Sequence, residues 1–275
     1  MYATLEEMKK INNVQLDLFK ATVDACEKLH IKWFMVHGSL LGTICNSGFV
    51  PYDDDIDIAM SRKDYERFLK EAPALIGKDY FIQSNISDKH YPLLFAKVRD
   101  SRTTYICERV RNIDMHHGIY IDIFPIDRSI SKDKVRSFLL RFFSLRCSVS
   151  MYWEKPSAEQ KLKKMIMSIL CPSVRGAIRM SEALLRSARA SDKVTITGGK
   201  PQEGALPAAW FESSEERRFE GIKVFVPAGY DESLRLIYGE YETFDLVADK
   251  MVDDKVLINA HIVDVEKPYT AYMIK

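Results

Sequence analysis

Cysteine is scarce in this sequence and poorly placed for metal or disulfide chemistry. Five cysteines occur among 275 residues (Cys26, Cys45, Cys107, Cys147 and Cys171), an odd number with no CxxC pair. This excludes a cysteine-built zinc site and a disulfide framework, and predicts reduced, buried thiols in a cytosolic protein. Long hydrophobic runs are also missing: no stretch of about 18 apolar residues occurs, so no segment reads as a spanning helix. The longest candidate, Met165 to Cys171, is too short to cross a bilayer. The opening MYATLEEMKK carries charges where a signal peptide needs its apolar stretch, so nothing there points to secretion. A charge excess of one sign is absent, since 40 Lys+Arg stand against 39 Asp+Glu. That balance excludes a chain that binds nucleic acid through overall basicity, and leaves room for a local basic face. Repeats and low-complexity tracts are lacking too. With 47% hydrophobic residues, the chain has the composition and length of one large globular domain or two close lobes.

Apolar residues at helical spacing predict an amphipathic helix over residues 5–30. The segment IKWFMVH at 31–37 predicts a strand, and Gly38-Ser39 a tight turn into a short helix over 40–46. DIDIAM at 55–60 alternates polar and apolar residues with period two and predicts a strand; Ser61 caps a helix over 63–71. Further strands are predicted at 80–84, 93–99 and 118–124, the last stopped by Pro125. Residues 131–193 read as helical and basic. A hairpin arm at 222–226 and a helix over 230–241 follow, and the last thirty residues show no period.

The chemistry concentrates in three carboxylates. Residues two apart on a strand share a face, so Asp55 and Asp57 lie side by side while Ile56 and Ile58 point into a core. Two such carboxylates repel each other unless a cation lies between them, and Mg²⁺ (or Mn²⁺) suits oxygen ligands that leave positions for substrate phosphates. Asp122 stands alone in GIYIDIF, where an ionised carboxylate is costly to bury unless it meets the Asp55/Asp57 strand and completes a metal site. Gly38 and Ser39, before a helix, offer backbone N–H groups and a hydroxyl to a phosphate. Singly, each feature has a structural explanation: Asp53 and Asp54 read as a solvated turn, and Asp122 could cap a loop. Together and in this order they give the layout of a nucleotidyltransferase fold, and the chain is read as α/β (α+β). It divides into a mixed-sheet core with flanking helices over 1–130, a basic helical insertion over 131–205, and a C-terminal part over 206–275 that packs back on the core.

The segment HGSLLGTICNSGFVPYDDDIDIAMSRKDYERFL, from His37, resembles the signature of the LicD family of phosphotransferases. GIYIDIFPID at 118–127 is similar to that family's second motif, and FEGIKVFVPAGYDESLRLIYGEYE at 219–242 to its C-terminal block. Tyr52 departs from the family pattern, which has Trp before the acidic run. The resemblance implies a Mg²⁺-dependent transfer of a phospho-alcohol from a CDP-linked donor such as CDP-choline to a hydroxyl of a bacterial surface glycan (lipopolysaccharide, teichoic acid or capsule), with release of CMP. It also implies that Gly38 and Ser39 hold donor phosphate, that Asp55 and Asp57 bind metal, and that Asp122 completes the site, as ligand or as proton acceptor.

Lys97 and Arg99 share a strand face and either neutralise donor phosphates or guard an exposed sheet edge. His37 either supports the Gly-Ser turn and touches phosphate or is a satisfied core histidine. His116 and His117 read as loop residues, since neighbours on a strand face opposite ways; His261 is unassigned. Tyr238 and Tyr241 are read as core, with a platform for a quaternary ammonium as the alternative. Residues 132–193 hold 14 Lys+Arg against five acids, interleaved with apolar residues. Either these helices lie on an anionic membrane, where a lipid-linked acceptor would be met at its cytoplasmic face, or they form a solvated subdomain. Two other functions compete: nucleotidyl transfer to a small hydroxyl compound, and non-catalytic binding to a membrane or polyanion.

Overall fold

The computed structural model describes residues 1–51, 53–151, 156–189, 191–199, 204–243, 251–252 and 255–273; Tyr52 lies outside them. A short strand β1 (Tyr2–Thr4) leads into α1 (Leu5–Lys28), which Thr4 and Glu7 start with a reciprocal capping box. Then come β2 (Trp33–Met35), α2 (His37–Asn46), β3 (Asp57–Ser61), α3 (Arg62–Glu71), β4 (Tyr80–Gln83), β5 (Ala96–Asp100), β6 (Thr104–Cys107) and β7 (Tyr120–Arg128). Three helices follow, α4 (Lys134–Ser150), α5 (Ala158–Leu170) and α6 (Val174–Arg186), then β8 (Lys193–Ile196) and β9 (Leu206–Pro207). The chain closes with β10 (Ser214–Phe219), β11 (Ile222–Pro227), α7 (Tyr230–Tyr238), β12 (Met251–Val252), β13 (Lys255–Leu257) and β14 (Ala260–Asp264).

The result is a mixed α+β fold around a seven-stranded sheet in the order β2-β3-β7-β5-β4, with β8 and β9 continuing from β7. Strands β3 and β7 run parallel at its centre, with Asp57 beside Asp122; β5 lies antiparallel on the other side of β7, with Lys97 beside Asp122. Period-two alternation sorts the two faces. Trp33, Met35, Ile58, Met60, Ile121, Ile123 and Val98 belong to the main core with Leu18 and Phe19 of α1 and Phe68 of α3. Phe34, Val36, Ala59, Phe124 and Ile126 form a smaller second cluster. Asp57, Asp122 and Lys97 have the parity of this second face, so the face that is only partly apolar is the one that carries the polar residues.

Four sequence expectations change. Pro125 does not end its strand: β7 runs to Arg128. The N–H of Asp122 donates to Ile56 O of the β3 side. The missing N–H of Pro125 therefore faces the other edge, in the gap where the β5 register ends at Ile123 and the β8 register begins at Ile126. Gly38 and Ser39 do not precede α2 but sit in its first turn. Asp55 falls just before β3 rather than within it. Buried thiols are found at Cys26, Cys107 and Cys147 only; Cys45 is exposed and Cys171 half-buried. Among the final residues, where no period was visible, β14 pairs with β6 and β13 with β1.

Glycine is required at position 42, where α2 meets the following loop. A Cβ there would stand 2.3 Å from the Gly48 carbonyl oxygen and 3.1 Å from the Val50 nitrogen, both backbone atoms with little freedom to move. Gly42→Ala is therefore expected to lower stability by about 1–3 kcal/mol, read as a fall of several degrees in Tm. An unchanged Tm would show that the loop leading to the acidic run is looser than its packing implies.

Candidate active site

Asp57 is the first residue of β3 and Asp122 the third of β7, side by side in register, and Asp55 stands two residues ahead of Asp57 in the loop that enters β3. One carboxylate oxygen from each of Asp55, Asp57 and Asp122 lies within 4.8 Å of the other two. Asp57 and Asp122 are buried; Asp55 is half-buried. Burial, reinforced by Asp57, Asp53, Asp54 and Asp122, holds the Asp55 carboxyl well above the ordinary carboxylate range. Burial also pushes Asp122 up, to about 6, against the opposing pull of Lys97. Three hard oxygen donors gathered this closely fit a divalent cation of the Mg²⁺ type, which would relieve their repulsion. Asp53, Asp54 and Asp55 form a second such group.

Lys97, buried beneath this cluster, gives its ammonium to Asp122 Oδ1, and the same Nζ lies 3.4 Å from the centre of the Tyr120 ring. β5 is an interior strand, so the edge-guarding explanation for Lys97 and Arg99 falls away. Arg99 is fully buried; it donates to Gln83 Oε1 and, at 2.6 Å, to the Gly118 carbonyl. Of the two cations, Lys97 reaches the carboxylates and Arg99 braces the strands behind them.

Helix α2 reaches the site through its first turn. His37 begins it with φ +52°, a left-handed conformation that favours glycine, and its Nδ1 stands 3.6 Å from Asp57 Oδ2 while its ring meets Phe124 edge-on at 4.9 Å. Ser39 Oγ accepts the Asp57 N–H at 2.8 Å, which fixes α2 to β3. A Cβ on Gly38 would lie 2.0 Å from Asp53 Oδ2, so glycine lets that carboxylate rest on the helix's first turn, where the macrodipole favours it. Asp53 and Asp54 are thus not a solvated turn: both are half-buried, and Asp54 receives the Tyr105 hydroxyl.

The remaining candidates lie elsewhere. His116 and His117 are in a loop, as expected, and buried. Burial pulls their pKa values down to about 3 and about 4, and they bond to Ser101 and to the Ile113 carbonyl. His261, on β14, pairs with Glu108 at 3.2 Å. Tyr241 is buried and donates to Asp231, and Tyr238 packs on the main core, so the core assignment holds for both. Sequence reasoning missed Gln15. Its amide donates to the backbone oxygens of Asp54 at 2.7 Å and Tyr120 at 3.2 Å, tying α1 to the acidic loop and to β7. A signal for it existed: Gln15 interrupts the buried stripe of Met8, Ile11, Leu18 and Thr22.

Residues 30–144, which contain Asp53, Asp54, Asp55, Asp57 and Asp122, match the family model described as LicD/FKTN/FKRP, nucleotidyltransferase domain. Over 254 residues the chain is 27% identical to the lipopolysaccharide cholinephosphotransferase LicD of Haemophilus influenzae, covering 86% of this chain and 91% of that protein. Over 81 residues it is 32% identical to an uncharacterized protein of Rickettsia typhi, covering 30% of this chain and 26% of that one.

Proposed function

We propose that the chain is a LicD-type transferase of phospho-alcohol groups, a reading supported by its match to that family's nucleotidyltransferase-domain model over residues 30–144 and by its likeness to the Haemophilus protein. On this reading it moves a group of the phosphocholine class from a CDP-linked donor to a hydroxyl of a lipopolysaccharide-type surface glycan and releases CMP. The observation that carries the reading is the meeting of Asp55, Asp57 and Asp122 within 4.8 Å, on the sheet face that α2 closes.

Held by Asp55 and Asp57, Mg²⁺ (with Mn²⁺ as a substitute) would neutralise the charge of the donor's diphosphate. The first turn of α2, at Gly38 and Ser39, would present backbone N–H groups to that diphosphate once the Asp53 carboxylate resting there moves aside. His37 and Lys97 keep Asp57 and Asp122 in place. The acceptor's hydroxyl oxygen forms a bond to the phosphorus that bears the alcohol. The bond from that phosphorus to the bridging oxygen breaks, and its electron pair leaves on CMP. The hydroxyl proton passes to the second oxygen of Asp122, whose pKa of about 6 suits a proton acceptor near neutral pH. Such a reaction needs positioning and charge neutralisation more than covalent help from the protein.

Incubation with Mg²⁺, CDP-choline and lipopolysaccharide should release CMP and label the glycan; release of pyrophosphate from a nucleoside triphosphate instead would assign nucleotidyl transfer. Binding gives a second readout. At about 100 times its dissociation constant, Mg²⁺ with CDP-choline is expected to raise Tm by about 5 °C, more than either alone. The rise should depend on pH. Asp55 and Asp122 bind protons more tightly in the folded than in the unfolded chain, so the stability they lend is full in acid and is lost as pH rises, the Asp122 share as pH climbs through about 6. The cation replaces those protons, so its stabilisation should be large near pH 7.5 and small near pH 5.5. An equal shift at both would remove the aspartates from the binding site.

A further inference from the structure

Among the described residues, sixteen large hydrophobic side chains are exposed, and nine of them fall on α4, α5 and α6. Helix α5 concentrates them. Leu162, Met165, Ile166 and Ile169 recur at i, i+3, i+4 and i+7, with Leu170 beside them, and are 51%, 55%, 42%, 70% and 63% exposed. The helix rests chiefly on α4, and Met167 is its only buried residue. Lys161 and Lys163 fall about 100° to either side of Leu162 around the helix, so they border the stripe on both flanks. Val135 and Phe138 of α4 are exposed as well, at 69% and 67%.

A soluble surface seldom leaves such a stripe bare. The charge around it selects the partner. Across residues 132–193 there are 14 Lys+Arg and five acids. A second copy docked stripe to stripe would set Lys161 and Lys163 against their own kind, whereas an anionic bilayer complements them. Thirteen residues span only about 20 Å, short of the roughly 30 Å hydrocarbon layer, so the helix can lie in the interface but not cross it. An apolar stripe between lysines whose stems reach up to the headgroups is the pattern of an interfacial helix.

We propose that α5, with the exposed start of α4, is a docking surface for an anionic lipid bilayer, in which Leu162, Met165, Ile166 and Ile169 enter the headgroup region and the flanking Lys161 and Lys163 meet lipid phosphates. Glu159, which pairs with Lys163 at 2.5 Å along the helix, gives up that exposed contact on docking. The inference stands on these helices and not on the transfer chemistry, so a failure of either leaves the other intact.

Co-sedimentation of the full chain with vesicles tests it. The protein should pellet with vesicles of phosphatidylcholine containing about 30% phosphatidylglycerol, stay in solution with phosphatidylcholine alone, and be released as salt rises to about 0.5 M. Leu162→Ser/Ile166→Ser/Ile169→Ser alters exposed positions only and should keep its Tm while losing vesicle binding. Lys161→Gln/Lys163→Gln should weaken partitioning by roughly fivefold per lysine, on the order of 25-fold in all. Recovery of the wild-type protein in the supernatant with anionic vesicles at low salt would overturn the proposal. So would undiminished binding by the serine variant, or a wild-type dimer that becomes monomeric in that variant, which would assign the stripe to a second copy.

Discussion

Replacing Asp57 with Asn is expected to slow transfer by roughly a thousandfold, a loss of about 4 kcal/mol of transition-state stabilisation, and to leave the fold intact. The side chain keeps its shape, and the backbone N–H of residue 57 still donates to Ser39 Oγ. What changes is the charge beside Asp55 and Asp122, two carboxylates driven toward protonation by burial and by Asp57 itself. The substitution should therefore hold or raise the Tm of the metal-free protein while lowering its affinity for Mg²⁺. Rates, Tm and the Mg²⁺-induced shift in Tm measured on one preparation separate these effects. Normal turnover by the folded variant would remove the metal assignment.

Lys97→Met should have the largest effect on stability. The methionine preserves most of the side-chain volume against Tyr120 and Phe95 but removes the ammonium paired with Asp122. Breaking a buried pair at one end leaves an uncompensated charge and costs about 3–5 kcal/mol. Two controls give the loss a signature that a packing defect lacks. The Asp122 pKa in the variant rises further above its unfolded value, so the loss is felt at neutral pH and shrinks as acid protonates Asp122. Mg²⁺ should also recover part of the lost stability. A Tm deficit that ignores both pH and Mg²⁺ would mean that Lys97 serves as filler.

The three aspartates were legible in the sequence because Asp55 and Asp57 are two residues apart in an alternating stretch, and because a lone carboxylate within GIYIDIF needs a partner; Asp55 joins the cluster from the loop just before β3. The structure places Asp122 beside Asp57, in register. The supporting residues were harder to see. Gln15 acts through backbone atoms 39 and 105 residues away, and no local pattern encodes such reach. Strand β6 was missed because Thr104–Cys107 owes its pairing to Ala260–Asp264, a stretch with no period of its own. Pro125 misled because the rule against proline inside strands assumes neighbours continuous along both edges. Here one edge changes partner at that residue.

That change of partner makes strand β7 a bridge. Its first half carries Asp122, and its second half, through β8, joins the basic helical stretch. The helices also return toward the first half: Phe143 and Cys147 of α4 gather with Ala177 and Ile178 of α6 and with Leu94, three residues before Lys97. An enzyme resting on α4 and α5 would thus have its orientation over the lipid set by the same sheet that carries its carboxylates.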